Sequence, residues 1–390
     1  MRWIRGGLGA TWAYVLLTLL GTLDADGGPP AKVPLLYSSD LFHPPSDPDD
    51  HYDLATLCAL AEIDVRGMLF DLRPDRPEAK AGLAAIRQMN RITGRNLQAV
   101  LGLRQRLTSP TDPGLDQPAP FQAGVELLLA ELRRSPTKVT VFLVGGCRDV
   151  AAAYNRAPGL LREKLHALYI NAGNGPGGPQ WETNVWIDPH AYQRLLTAEL
   201  PLYWCPCWGV EPRRPAPDDV RDQRACNTLF VANQATVLSR CCPAVRNFFT
   251  YCLTRATADP LAFLDGPPQP PPTSTRPMWS TAPMLHAAGR HVYRCGNADF
   301  VALAPEEARR RGLAGAEVEL YRFEPVRVAV EGPSAERPFA KVAGQKAPAQ
   351  FALRTTPVAQ ANVRMFRYVH PQYGEILTCC LKNLLGELGR

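Results

Sequence analysis

The sequence predicts an α/β fold, an open, mostly parallel (mixed) sheet with helices on both faces. Three observations carry that expectation. Strand-like and helix-like runs alternate from Val33 onward, the rhythm of a parallel sheet with covering helices. The run 139–144 is apolar without a break, as in a strand buried on both faces. A chain of 390 residues that is 46% hydrophobic is long enough to bury one large core.

Taken in order, residues 35–38 form the first strand, and 50–62 a helix with apolar positions at Leu54, Leu57, Cys58 and Ala61. Residues 65–70 make a strand, 77–93 a helix, 98–103 a strand and 121–134 a helix. Gly145-Gly146 ends the strand over 139–144, and a helix begins near Asp149, whose carboxylate is placed to cap it. A strand over 167–170 leads into a glycine-rich loop at 171–180. The next helix, 189–195, opens with proline in the first turn, where proline is allowed, and 202–204 makes a short strand. The proline-rich stretches 211–219 and 265–277 read as extended connectors. The C-terminal part is β-rich, alternating over 317–330 and 362–368, and closes with a helix over 374–388. No internal repeat is present.

Residues 1–25 are set apart from the fold. Arg2 and Arg5 precede an apolar run over 9–23, the pattern of a secretory signal peptide cut after Ala25, which leaves 26–390 as the folded domain. The alternative is an uncleaved anchor, but the run falls short of the ~20 apolar residues of a spanning helix. Export to a periplasmic or extracellular space is therefore expected, with no stable membrane span after cleavage. The formal charge of +6 becomes +5 once two arginines and Asp24 leave with the signal. Basic residues are scattered and not interleaved with aromatics, which argues against a nucleic-acid partner. Eleven cysteines in an exported chain make some disulfides an expectation, with at least one thiol left over.

The chemistry concentrates after the first strand. Asp40, Asp47, Asp49, Asp50 and Asp53 place five carboxylates within fourteen residues, between an apolar strand and an apolar helix. Like charges so crowded raise one another's pKa or recruit a cation, so the cluster reads as a hard-metal or acid/base site. Strand ends of a parallel sheet are also where such folds bind ligands. A second polar segment runs from Trp181 to Ala191. Within it Glu182 and Asn184 lie two apart, and in an extended segment they face the same side, as suits two groups gripping one polyhydroxyl ligand. Asp188 fits a helix cap.

Together these segments resemble the inosine-uridine nucleoside hydrolase family. Ser38-Ser39-Asp40 and Asp49-Asp50-His51-Tyr52-Asp53-Leu54-Ala55 stand where that family has an aspartate-x-aspartate strand end and paired aspartates opening a helix. Glu182-Thr183-Asn184 and Asp188-Pro189-His190-Ala191 resemble its glutamate-x-asparagine and aspartate-proline-x-alanine stretches. The resemblance implies a calcium ion in the aspartate cluster and hydrolysis of the N-glycosidic bond of a ribonucleoside or related ribosyl compound. By position, Asp40 is implied as base and metal ligand, Asp49, Asp50 and Asp53 compete for the paired metal positions, and Glu182 and Asn184 grip the sugar. The partners so implied are a small nucleoside or ribosyl substrate and, for a homo-oligomer, further copies of the chain.

The sequence departs from the family pattern at three points. Ser38 replaces the first aspartate, residues 41–46 lengthen the loop, and the late histidine-aspartate pair corresponds to His286-Ala287, which lacks the carboxylate. His286 is then the implied leaving-group acid or, alternatively, a core histidine, and Asp299 is a possible replacement ligand. The missing carboxylate favours the competing expectation of a non-catalytic exported protein that keeps the fold and a sugar- or metal-binding pocket.

Overall fold

The computed structural model describes residues 31–389 except 46, 72–79, 178–179, 181, 210–224, 332–340, 343–344 and 347–350. The signal segment 1–25, the stretch 211–219 and the first part of the helix expected over 77–93 lie outside the described residues. Residues from Lys32 onward form one compact unit.

Nine strands build the main sheet: β1 (Val33–Ser39), β2 (Ile63–Phe70), β3 (Ala99–Leu101), β4 (Val139–Leu143), β5 (Leu165–Asn171), β6 (Leu202–Cys205), β7 (Tyr321–Glu331), β8 (Ala352–Pro357) and β9 (Val363–Tyr368). Their order across the sheet is β8-β7-β9-β6-β5-β4-β1-β2-β3. The seven strands from β9 to β3 run parallel, while β7 pairs antiparallel with both β8 and β9. The sheet is thus mixed at one end, as the alternation suggested.

Helices cover both faces, and the strands show why. Leu35 and Tyr37 of β1 enter one core with Phe142 and Tyr169, while Leu36 enters the other with Val141, Leu143, Leu168 and Ile170. Period-two side chains that are apolar on both sides can be buried only between two layers. The first core is closed by α1 (Asp49–Ala59), α2 (Leu83–Thr93), α7 (Pro243–Leu253), α8 (Thr281–Ala287) and α9 (Tyr373–Leu385). The second is closed by α3 (Ala123–Arg134), α4 (Arg148–Arg156) and α6 (Pro189–Leu196), and a short helix, α5 (Thr183–Ile187), precedes α6.

Two local expectations change. Asp149 is not the cap of α4; Cys147 holds that position, and Asp149 Oδ1 accepts the Leu103 N–H from the loop after β3, 3.1 Å away. A buried carboxylate gains more from an otherwise orphaned loop amide than from the solvated end of its own helix. The expected disulfides are also absent, since all eleven cysteines are free thiols and eight of them are buried. Among the described residues no helix is long and apolar enough to cross a membrane.

Candidate active site

The parallel strands β1, β4, β5 and β6 all end at one rim, and the loops that follow them surround a pocket of about 290 Å³. Asp40 follows β1, Val144 follows β4, Asn171 ends β5, and Cys207 and Trp208 follow β6. The first turn of α1 contributes Asp49 and Asp50, with Asp53 one turn on and Asp47 before the helix. Acidic residues suit a helix N-terminus, where the macrodipole is positive. Glu182 and Asn184, together with Trp279 and Ser280 just ahead of α8, complete the lining.

Six carboxylates line this pocket, and among the described residues no lysine or arginine does. Burial raises Asp49 and Asp50 well above the usual carboxylate range. Neighbouring aspartates add to this, Asp47, Asp53 and Asp40 acting on Asp49, and Asp40, Asp49 and Asp53 on Asp50. The Ser39 hydroxyl donates to Asp50 Oδ1 at 2.7 Å and pulls the other way, while Ser39 Oγ accepts the Leu41 N–H. Ser39 therefore fixes both the turn after β1 and the carboxylate facing it.

Asp53 is held differently. Burial lifts it to about 7, opposed by the Ser280 hydroxyl. Ser280 Oγ lies 2.6 Å from both Asp53 Oδ2 and Asn171 Oδ1 but owns a single proton. Asn171 commits its amide nitrogen to Cys205 O and Thr228 Oγ1, so its oxygen must be the acceptor toward Ser280. The Ser280 hydroxyl is thus shared between two acceptors, Asp53 and Asn171.

The segment holding Glu182 and Asn184 is helical, not extended. Glu182 caps α5, its carboxylate accepting the N–H groups of Gly173 (2.9 Å), Asn184 (2.8 Å) and Val185 (3.4 Å). Burial raises it to about 7 against the pull of those three donors. Glu182 thus organises the loop, and three competing backbone amides explain why it does not pair with Asn184 as a two-residue spacing suggested. Asn184 donates its amide nitrogen to Val144 O and Asn171 O, both at 3.0 Å, which leaves its oxygen as the ligand-binding end. Asp188 caps α6 as expected.

His286 lies elsewhere. Its Nδ1 meets the Tyr169 hydroxyl at 2.7 Å, its ring packs 4.5 Å from that of Phe323, and it lines a separate cavity with His291, Glu317 and Tyr321. Burial lowers it to about 4, so it is neutral near pH 7. Asp299 is also outside the pocket, bonded to Cys379, Lys382 and Asn383. The late pocket residues are Trp279 and Ser280, seven residues ahead of the pair singled out in the sequence. Their signal was the short polar break before an apolar helix, and the more conspicuous histidine drew the assignment away from it. Trp279 stands edge-on to Trp208, with ring centroids 5.6 Å apart.

Among the described residues no three Asp, Glu, His or Cys side chains converge as a preformed ion site. The donor chemistry nevertheless fits a hard cation. Asp40, Asp49 and Asp50 are partly open to the pocket, and the repulsion that raises Asp49 and Asp50 is what a bound positive charge would relieve.

Comparison with known proteins bears on the family and the fold. Residues 53–269 match the family model described as inosine-uridine preferring nucleoside hydrolase. That match begins at Asp53, so Asp40, Asp49 and Asp50 rest on position in the fold. A pyrimidine-specific ribonucleoside hydrolase of Citrobacter koseri is 27% identical over 189 residues, covering 44% of this chain and 58% of the relative. An uncharacterized protein of Schizosaccharomyces pombe is 30% identical over 86 residues, 21% of this chain and 28% of that protein. The matches therefore span less than two thirds of these curated relatives. A solved plant nucleoside hydrolase aligns with 91% of this chain and 99% of its own at a TM-score of 0.50 and 13% identity, a likeness of fold.

Proposed function

The chain belongs to the inosine-uridine preferring nucleoside hydrolase family, and from that premise we propose that its acidic pocket cleaves the N-glycosidic bond of a ribonucleoside or a related ribosyl compound. The observation that carries the proposal is the pairing of six carboxylates with two tryptophans around one pocket at the ends of the parallel strands. Carboxylates stabilise the positive charge that develops on a sugar ring as the bond to the base breaks. Tryptophan faces suit a flat, apolar leaving group.

Asp40, Asp49 and Asp50 would hold a hard divalent cation, calcium by the family resemblance, which when bound balances their charge and makes a coordinated water more acidic. Asp40, at the end of β1, is the base that takes a proton from the attacking water. Asn184 offers its amide oxygen to a ribose hydroxyl, in a position fixed by its two donated bonds. Glu182 shapes the loop that carries Asn184. Trp208 and Trp279 flank the base and exclude water from that side.

The test is release of free base from a panel of ribonucleosides, with calcium or with a chelator. No release across the panel, together with no calcium uptake by calorimetry, sinks the reading. A second reading, a non-catalytic protein that binds a sugar or metal, draws on Ala287, which stands where the family resemblance implied a late carboxylate; ribose binding without turnover would favour it. We also propose export, on the strength of residues 1–25. Intact mass of the secreted protein beginning after Ala25 tests it, and a retained N-terminus refutes it.

A further inference from the structure

Behind the pocket lies a second group of charges that the proposed chemistry does not use. Arg148 at the start of α4 is fully buried, as is Asp71 just beyond β2. Arg148 Nε donates to Asp71 Oδ1 at 2.9 Å, Nη2 donates to the same oxygen, and Nη1 donates to the Arg104 carbonyl at 2.6 Å. Asp71 Oδ2 is buried with no hydrogen-bond partner among the described residues. A Cβ on Gly146 would fall 2.2 Å from that oxygen and 2.5 Å from Ile187 Cγ2, so glycine is what lets these groups meet.

A fully buried ion pair is a poor source of stability. Desolvation offsets the attraction, well-packed apolar replacements are often as stable or more so, and the unpartnered Oδ2 adds a further cost. What the pair does supply is connection. The Asp71 N–H donates to Ser39 O, next to Asp40, at 2.9 Å. Arg104 begins the loop whose Arg106 donates to the carbonyls of Trp186 (2.9 Å) and Ile187 (3.1 Å), and whose Leu107 N–H donates to Asp188 Oδ2 at 2.7 Å. These contacts hold the C-terminal end of α5, the helix that carries Asn184. One guanidinium therefore links two walls of the pocket, the turn that bears Asp40 and the helix that bears Asn184.

From this connectivity we infer that Arg148 is a positioning residue, which sets Asp40 and Asn184 relative to each other through Asp71 and the 104–107 loop. The link to catalysis rests on the hydrolase reading; the link between the two walls does not. The fork is specific to arginine, because a lysine ammonium cannot reach Asp71 and the Arg104 carbonyl in the same way.

Two variants test it: Arg148→Lys, and the paired apolar change Asp71→Leu with Arg148→Met. The readouts are thermal unfolding, amide hydrogen exchange, and kcat and KM for whichever nucleoside the wild type cleaves. The expected result for the apolar pair is an unfolding midpoint kept or raised, exchange at the Leu107 amide at least about tenfold faster, and kcat down roughly 10- to 100-fold. Arg148→Lys should fall between the two. Unchanged exchange at Leu107, or full turnover in the folded apolar pair, overturns the inference. So does loss of cooperative unfolding in both variants, because the network would then serve folding itself. A wild type with no turnover fails the hydrolase reading alone, and the exchange measurement still decides whether Arg148 joins the two walls.

Discussion

Asp53→Asn reads the electrostatics of the pocket most directly. Asp53 is 6% exposed, and burial lifts its carboxyl from 3.8 to about 7. Between those two values the folded chain keeps a proton that the unfolded chain has released. Stability therefore falls as pH rises through this window; it is whole below about pH 4, and the loss is complete above about pH 7. The interval corresponds to about 4 kcal/mol. Asparagine has the shape of the neutral acid and no charge to desolvate, and its amide oxygen can accept the Ser280 hydroxyl as Asp53 Oδ2 does. In chelator, the variant and wild type should unfold at similar urea concentrations near pH 4. Near pH 8 the variant should be more stable by about 2–4 kcal/mol, as followed by tryptophan fluorescence. A stability difference that stays constant across that range would refute the burial-raised carboxyl on which the prediction rests.

Asp50→Ala removes a carboxylate from the proposed ion site and should weaken calcium binding about tenfold or more by calorimetry; unchanged affinity would place the ion elsewhere. Ser280→Asp puts a new charge beside Asp53, so the melting temperature should drop in chelator and rise above wild type in calcium. A melting temperature indifferent to calcium would count against the ion site. Trp279→Ala should cost about 1–3 kcal/mol of base stacking, read as a higher KM for nucleosides with inhibition by free ribose unchanged; an equal KM would remove the tryptophan from the base site. Glu182→Ala leaves the Gly173, Asn184 and Val185 amides without their acceptor and should lower stability by about 1–2 kcal/mol in urea; a neutral effect would mean that the loop holds itself.

Features written into neighbouring residues were legible in the sequence. The unbroken run at Val139–Leu143 announced a strand buried on both faces, and Asp188 before Pro189 announced a capped helix. The acidic cluster was visible because its members lie within one strand end and one helical turn. What escaped depends on contacts between distant parts of the chain. Ser280 meets Asp53 across 227 positions, and nothing local to a serine before a helix reveals that partner. Arg148 and Asp71 are 77 apart, and each taken alone reads as a surface charge. Glu182 misled for a related reason: its spacing to Asn184 suits a shared ligand in an extended chain, but three backbone amides converging on one buried carboxylate wind the segment into a helix.

The position of β9 bears on how the molecule is made. It lies inside the sheet, between β6 and β7, and pairs parallel with β6, where the Leu202 N–H donates to Asn362 O. During translation, β6 therefore waits with an open edge, and its buried Trp204 lacks cover, until residues 363–368 leave the ribosome. Cys207 and Trp208, which follow β6 into the pocket, are tied by backbone hydrogen bonds to the loop after β5, so that stretch of the rim does not depend on β9 for its anchor. A chain cut short ahead of β9 would carry every acidic residue of the pocket and still expose the parallel edge of β6, so the pocket's chemistry and the sheet's closure are encoded in separate parts of the chain.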